Sequence, residues 1–380
     1  MKRLRWNTAG ESHGPALVAI LEGMPSGLEL DTARVDAELA RRQGGYGRGG
    51  RMKIERDRIE LLAGTKGGRT LASPIAVRIA NRDATIEALP TPRNPRPGHA
   101  DLAGCQKFVH TDPRAILERA SARETAARVA LGSIARQVLE AFSIEVFAHV
   151  VELGGERVER GWVAGDAAER RAVRDASSFY CLDPQAEERF RAAVDRAREE
   201  RDSLGGVFEV RALRLPPGLG SFASGPERLT ARLGGALFSI PAMKGVEFGL
   251  GFGAARLPGS LVHDPIVAAE GEFGRFRRSK NDAGGLEGGL TTGEELVCRV
   301  AMKPIPSLKR GIQTVDFDTG EAVQATYQRS DVTSVPAASV VGEAIVALEL
   351  ASAFLEKFGG DSMEEVQGAF EAWRARVRKL

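Results

Sequence analysis

The sequence predicts an α+β fold with antiparallel sheets, and three observations carry that prediction. Short apolar or alternating runs outnumber the helical stretches between them, which disfavours a doubly wound parallel sheet. No composition break or Ser/Pro linker divides the 380 residues, so one large domain spanning 1–380 is expected. No fixed-period repeat interrupts the pattern.

The elements follow in chain order. Residues 16–21 form a short apolar run, read as a strand. Asp31 and Thr32 offer a cap to a helix carrying Val35 and Leu39, which stops at Gly44-Gly45. Residues 52–62 hold two alternating runs around Asp57, and 74–79 reads as a further strand. Ser121-x-x-Glu124 has the form of a capping box and opens a long helix to about Phe142, with Val129, Ile134, Val138 and Phe142 on its apolar side. Strands are expected at 144–153, 207–215, 246–252 and 296–302. The stretch at about 153–204 is rich in Arg and Glu and reads as a charged helical excursion. Its clearest helix starts at Asp183-Pro184 and ends near Leu204-Gly205-Gly206. Pro226 and Pro336 each suit a first helical position. The most apolar late stretch, 332–355, is cut by Glu343 and Glu349, which indicates a buried helix rather than a membrane span. Asp361 or Ser362 caps a C-terminal helix at about 361–378.

Composition narrows the function. Lys plus Arg is 53 and Asp plus Glu is 51, for a formal charge of +2. That balance excludes a generally basic nucleic-acid coat but allows a local basic site. Cys105, Cys181 and Cys298 lie far apart with no metal or redox spacing, as expected of buried thiols in a reducing compartment. No signal core is visible, so a cytoplasmic protein without membrane or nucleic-acid partners is expected.

Several motifs can do chemistry. Gly10-Glu11-Ser12-His13-Gly14 sets a His beside a Ser between glycines; the plain alternative is a turn into the strand at 16. Residues 41–51 combine Gly with Arg41, Arg42, Arg48 and Arg51. Gly45, Gly47 and Gly50 happen to spell GxGxxG, but a helix precedes them where a dinucleotide fold needs a strand. A loop closing over a small polyanion fits better than a single RGG unit or a solvated basic loop. Arg96-Pro97-Gly98-His99-Ala100-Asp101 places a His on a stiff loop, a candidate acid or base whose ring Asp101 can orient, or else a surface His. Arg119-Ala120-Ser121-Ala122-Arg123-Glu124-Thr125 joins two cations to a capped helix N-terminus, a favourable phosphate site. Gly284-Gly285, Gly288-Gly289, Lys303-Pro304-Ile305-Pro306-Ser307 and Arg329-Ser330-Asp331 complete the set. Asp331 is either an ion-pair partner of Arg329 or a general base. His110, His149 and His263 read as structural. No Walker A loop, HExxH or nucleophile elbow is present. The theme is an anionic substrate handled by proton transfer.

Taken together and in this order, these motifs resemble those of the chorismate synthases, over about 6–358, nearly the whole chain. Arg48-Gly49-Gly50-Arg51-Met52 is similar to a common bacterial form. The resemblance implies a β-α-β sandwich with internal pseudo-symmetry, assembled as a homotetramer. It implies elimination of phosphate from 5-enolpyruvylshikimate 3-phosphate to give chorismate, with reduced FMN required although no net redox change occurs. By the same resemblance, His13 protonates the departing phosphate, His99 protonates or steadies reduced flavin, and Asp331 helps the flavin take the substrate proton. Flavin contacts fall to Arg119, Ala120, Ser121, Pro241, Ala242, Gly288, Lys303, Pro304, Ile305, Pro306, Ser307 and Arg329. Arg42 and Arg48, with Ser12 and Arg123, fall to substrate or NADP. NADPH is then a candidate reductant for the flavin, and without a reductase domain an external flavin reductase is the expected partner. Asp282 departs from the pattern, since the family often has His there in Asn-His-Ala-Gly-Gly. A non-catalytic flavin- or RNA-binding homologue, and a flavin-dependent lyase for another phosphorylated acid, are the competing readings.

Overall fold

Alternation of apolar and polar residues builds the first sheet of the structure, a computed structural model that describes residues 3–49, 56–159, 167–327 and 331–380. Its strands β1 (Arg5–Ala9), β2 (Ala16–Glu22), β3 (Glu60–Ala63) and β4 (Ile75–Ala80) pair antiparallel in the order β1-β2-β4-β3. Leu17, Ala19 and Leu21 of β2 and Ile75, Val77 and Ile79 of β4 are buried, while their neighbours face outward, the period-two signature of a sheet covered on one side. The second sheet contains β5 (Glu145–Leu153), β6 (Gly206–Leu213), β7 (Met243–Phe248) and β8 (Leu296–Met302), antiparallel in the order β5-β6-β8-β7, with a short strand Glu156–Arg157 beside β5. Between the sheets lie two long central helices, Thr125–Ala141 and Val335–Phe358.

The helices are α1 (Thr32–Gln43), α2 (Asp101–Phe108), α3 (Thr125–Ala141), α4 (Ala167–Ala176), α5 (Pro184–Glu199), α6 (Leu229–Phe238), α7 (Val335–Phe358) and α8 (Met363–Val377). One half reads β1-β2-α1-β3-β4-α3 and the other β5-β6-α6-β7-β8-α7, with the same spatial order of strands in both. This is the internal pseudo-symmetry that the resemblance implied. Helix α3 packs on β2 and β4, α7 on β5 and β6, and α3 on α7. The two central helices run parallel: Gly132 meets Ala344, and ten residues on, the Phe142 ring lies 4.5 Å from that of Phe354. Both N-termini therefore open at the same end of the sandwich. Helix α7 is long and apolar enough to cross a membrane, but it is buried within the protein.

Burying Glu343 and Glu349 on α7 demands partners. Glu343 accepts from Arg136 (2.6 Å), from Arg174 (3.2 Å) and from the Ala148 N–H (2.9 Å), and lies 2.9 Å from Arg41. Glu349 takes Arg232 at 3.3 Å.

Some local expectations are corrected. The strand expected at 246–252 is β7, shifted to Met243–Phe248; Gly249, at φ +55°, packs against Asp282 and Gly284, and Gly251–Arg256 is 3-10 helix. Ser121 caps a 3-10 turn at Ala122–Glu124 rather than a full capping box, because the Glu124 side chain turns to Thr8 and Arg128. Of the run at 52–62, residues 52–55 lie outside the described residues and only Glu60–Ala63 is strand. Strand β1 and the hairpin Ile266–Gly271 with Gly274–Arg278 went unpredicted. Polar residues interleave β1 and Gly274–Arg278, while 266–269 is an apolar but mostly exposed run flanked by Gly- and Arg-rich sequence.

Candidate active site

The N-terminal ends of α3 and α7 carry partial positive charge, and the loops at that end of the sandwich carry most of the candidate residues. These loops are the β1–β2 turn, the end of α1, the β4–α3 connection, the α6–β7 turn and the β8–α7 connection.

His13 and Ser12 meet the start of α3. The Ser12 N–H donates to the Glu118 carbonyl at 3.0 Å, and Ser121 Oγ donates to Ser12 Oγ at 3.2 Å. The Glu118 carboxylate accepts from the backbone N–H of His13 and lies 2.9 Å from its Nδ1, while Arg114 Nη1 donates to it at 3.0 Å. Burial pushes the Glu118 carboxyl up, but His13 and Arg114 outweigh it and hold it below the usual carboxylate range. An ionised carboxylate only accepts, so Nδ1 carries hydrogen and Nε2 faces outward, 3.8 Å from Asp83 Oδ2.

A buried cluster of arginines lies alongside. Arg123 donates through Nη1 to both oxygens of Asp57 at 2.7 Å and through Nε to Asn81 at 2.8 Å. Asn81 in turn donates to the carbonyls of Glu11 and Gly14, which ties this cluster to the His13 turn. Arg42 donates to Thr125 Oγ1 (3.0 Å) and to the Ala122 carbonyl (2.8 Å), with Asp57 at 3.6 Å. Burial pushes Arg42 down to about 10, and the charges of Arg123 and Arg48 add to this against Asp57 and Asp331. Three guanidinium groups, those of Arg42, Arg48 and Arg123, thus share two carboxylates, Asp57 and Asp331.

Asp331 joins the loop after α1 to the start of α7. It lies 2.8 Å from Arg48 Nη1 and accepts from the Gly49 N–H (2.5 Å) and Ser334 Oγ (2.6 Å). The ion pair foreseen with Arg329 cannot be compared, since Arg329 lies outside the described residues, as do Gly50, Arg51 and Ser330. Arg48, Asp331 and Ser307 line one cleft with Arg198, Arg201 and Lys309.

His99 sits across the β4–α3 and β8–α7 connections. Its Nδ1 is 2.5 Å from Asp101 Oδ1, and Arg96 donates to the same carboxylate at 2.8 Å. Burial would raise Asp101, but His99 and Arg96 hold it well below the usual range. Lys303 donates to the Gly98 carbonyl, and its own N–H donates to the Ala242 carbonyl at 3.0 Å. Burial, with Lys244 nearby, lowers Lys303. Ala242 holds φ +72°, a strained setting for a residue with a Cβ. Arg128, in the first turn of α3, donates to Ser239 Oγ at 2.8 Å and so links the Ser121 end to the turn carrying Pro241 and Ala242. Ser203 Oγ donates to the Ile305 carbonyl at 2.7 Å, fixing the strand exit that holds Pro304 and Pro306.

Two candidates stand apart. Arg119 uses its guanidinium on the Thr8 and Gly10 carbonyls, bracing the β1–β2 turn. Gly288 lies in the turn between Leu286–Glu287 and Leu290–Thr291, with φ +60° and open space where a Cβ would point, while its neighbour Gly289 packs against Arg228. Asp282 pairs with Lys280 at 2.5 Å in a second, polar cleft lined by Arg211, Asn281 and Arg299. His149 is buried against Glu209, as a structural His should be. Sequence reasoning missed Asp57, Asn81, Asp83 and Glu118. Only Glu118 had a local signal, four residues after Arg114. Among the described residues no cluster of His, Cys, Asp and Glu could hold a metal ion.

Residues 4–355 match the family model described as chorismate synthase. A protein named "Chorismate synthase" from Geobacter sulfurreducens is 51% identical, with 99% of each chain covered. One of the same name from Salinispora tropica is 54% identical over 95% of this chain and 96% of its own. A solved structure titled "Crystal Structure of Chorismate Synthase" is 42% identical, covers 100% of both chains and superposes with a TM-score of 0.83.

Proposed function

The chain belongs to the chorismate synthase family, and from that premise we propose that it removes phosphate from 5-enolpyruvylshikimate 3-phosphate by anti-1,4-elimination to give chorismate. The observation that carries the reading is the crowding of Arg42, Arg48 and Arg123 beside a carboxylate-anchored His13, with two helix N-termini opening at that end. A substrate with one phosphate and two carboxylates relieves that crowding. Phosphate leaving a carbon needs a proton as the C–O bond breaks, and His13 Nε2 is placed to deliver one. Arg42 and Arg48 hold the anionic groups, with Ser12 donating from the turn. Arg123 adds its charge from behind, through Asp57 and Asn81. These arginines also suit the phosphates of NADPH, the candidate reductant.

The residues fit reduced FMN. Lys303, Ser121 and the α3 N-terminus offer cationic or N–H donors to an anionic ring or phosphate tail. Ala120, Pro241, Ala242 and the Pro304-Ile305-Pro306 run offer apolar contact, and Gly288 leaves space for close approach. Arg119 and Arg329 complete the set by motif. The chemistry such a bound reduced flavin would supply is transient electron donation that weakens the C–O bond. His99, held by Asp101 and Arg96, would steady charge on the flavin, and Asp331, held by Arg48 and Gly49, would help the flavin take the proton that leaves carbon. The protein then works in the cytoplasm, as a homotetramer fed by an external flavin reductase. Exposed apolar residues Phe252, Leu261, Ile266 and Phe276 offer surface for such assembly.

The test is an anaerobic assay with chemically reduced FMN. Chorismate and phosphate should form in equal amounts and only with reduced flavin. Folded, FMN-binding protein that yields neither product would overturn the reading.

A further inference from the structure

We propose that Glu118 is a positioning residue that sets which nitrogen of His13 delivers the proton to departing phosphate. The inference rests on the lyase reading above and concerns a residue that no motif marks. Glu118 closes the short helix Arg114–Leu117, and its side chain is 2% exposed. It grips the His13 turn at three points. Its carbonyl takes the Ser12 N–H, and its carboxylate takes both the His13 N–H and Nδ1. Arg114 holds the carboxylate from the far side while donating to the Pro90 carbonyl at 2.7 Å, so the clamp is itself anchored. Such a clamp selects one tautomer and one ring orientation. With Nδ1–H committed to Glu118, Nε2 is the nitrogen left to protonate substrate. Glu118, Asp83 and Arg114 are the charged groups bonded to or facing this imidazole from neighbouring elements.

The proton balance follows. As the C–O bond breaks, its electron pair leaves with the phosphate oxygen, which takes the Nε2 proton. The imidazole is neutral afterwards and its Nδ1–H stays on Glu118. The proton lost from the substrate carbon restores the balance, so no external acid is consumed. Glu118 carries negative charge throughout and stabilises the protonated ring beforehand.

Glu118→Gln keeps the shape of the clamp and removes its charge. Turnover should fall about 10- to 100-fold while KM for substrate and FMN affinity stay within about twofold. The decisive measurement is a double-mutant cycle with His13→Ala. In the His13→Ala background, Glu118→Gln should cost nothing more, because the charge it removes acts through the lost imidazole, while the Gln side-chain oxygen can still accept the backbone N–H that holds the turn. Equal fractional losses in both backgrounds, or no loss in either, would overturn the inference. Glu118→Asp, which keeps the charge but withdraws it by one methylene, carries the same cycle should the Gln variant misfold. Wild-type turnover measured alongside separates the failures. No chorismate from wild type would sink the lyase reading, and normal wild-type turnover with an indifferent cycle would sink only the role of Glu118.

Discussion

In the first half of the molecule the β1–β2 connection is a tight turn, residues 10–15, and it carries Ser12 and His13. In the second half the equivalent β5–β6 connection runs from 154 to 205 and contains α4 and α5. It carries none of the candidate residues. It shields instead: Tyr180 bonds the free edge of β5, and Arg174 stacks on Phe147 with 4.7 Å between guanidinium and ring centroid. The outer faces differ likewise. The first sheet shows exposed pairs such as Arg78 with Glu60, whereas the second buries Glu209 against His149 and Arg211. One strand order thus serves as scaffold twice, and the candidate residues sit on connections that have diverged. The first half brings the histidines, the second Lys303 and Asp331, and the parallel helices bring both sets to one end.

That comparison can be broken or sharpened by experiment. His13→Ala removes the acid from the short turn and should cut turnover about 100- to 10,000-fold, with FMN affinity little changed, in the anaerobic assay. A variant that keeps full turnover would move the chemistry out of the first half. The seam between halves comes next. Glu343→Gln leaves Arg41, Arg136 and Arg174 short of countercharge and should cost about 3–5 kcal/mol in urea unfolding.

Next is the buried face of the second sheet. Burial would raise Glu209, but His149 and Arg211 outweigh it and bring it from 4.5 to about 2. A carboxyl depressed on folding stabilises the protein above pH 4.5 and loses that contribution as pH falls toward 2. The loss should be about 3 kcal/mol, with a shallower decline for Glu209→Gln. Gly132→Ala places a Cβ 2.4 Å from the Ala344 carbonyl and should cost about 1–3 kcal/mol by thermal melting. Smallest is Glu60→Gln on the first sheet, where the exposed pair with Arg78 should be worth under about 0.5 kcal/mol. A Glu60 effect equal to that of Glu209 would erase the contrast between the sheets.

Much of the site was legible in the sequence because its motifs are local. Stiff loops, a capped turn and paired arginines leave short-range marks, and Asp101 beside His99 was readable from two residues' spacing. Helices with caps and apolar periodicity were legible for the same reason, as were strands with one buried face. Strand β1 was not, because an edge strand with exposed side chains need not alternate apolar residues. Glu118, Asp57 and Asn81 were not, because each acts on a partner far along the chain.

The sequence by itself determined the α+β class, the charged excursion, the buried apolar late helix and a candidate anion site built from Arg, Lys, Gly and two histidines. These follow from periodicity, capping and charge, which act over a few residues. Only the tertiary structure decided that α3 and α7 run parallel, that Asp331 pairs with Arg48, and that a buried carboxylate aims His13. The reason is that burial and long-range hydrogen bonding, not local preference, choose among partners that the sequence leaves equally open.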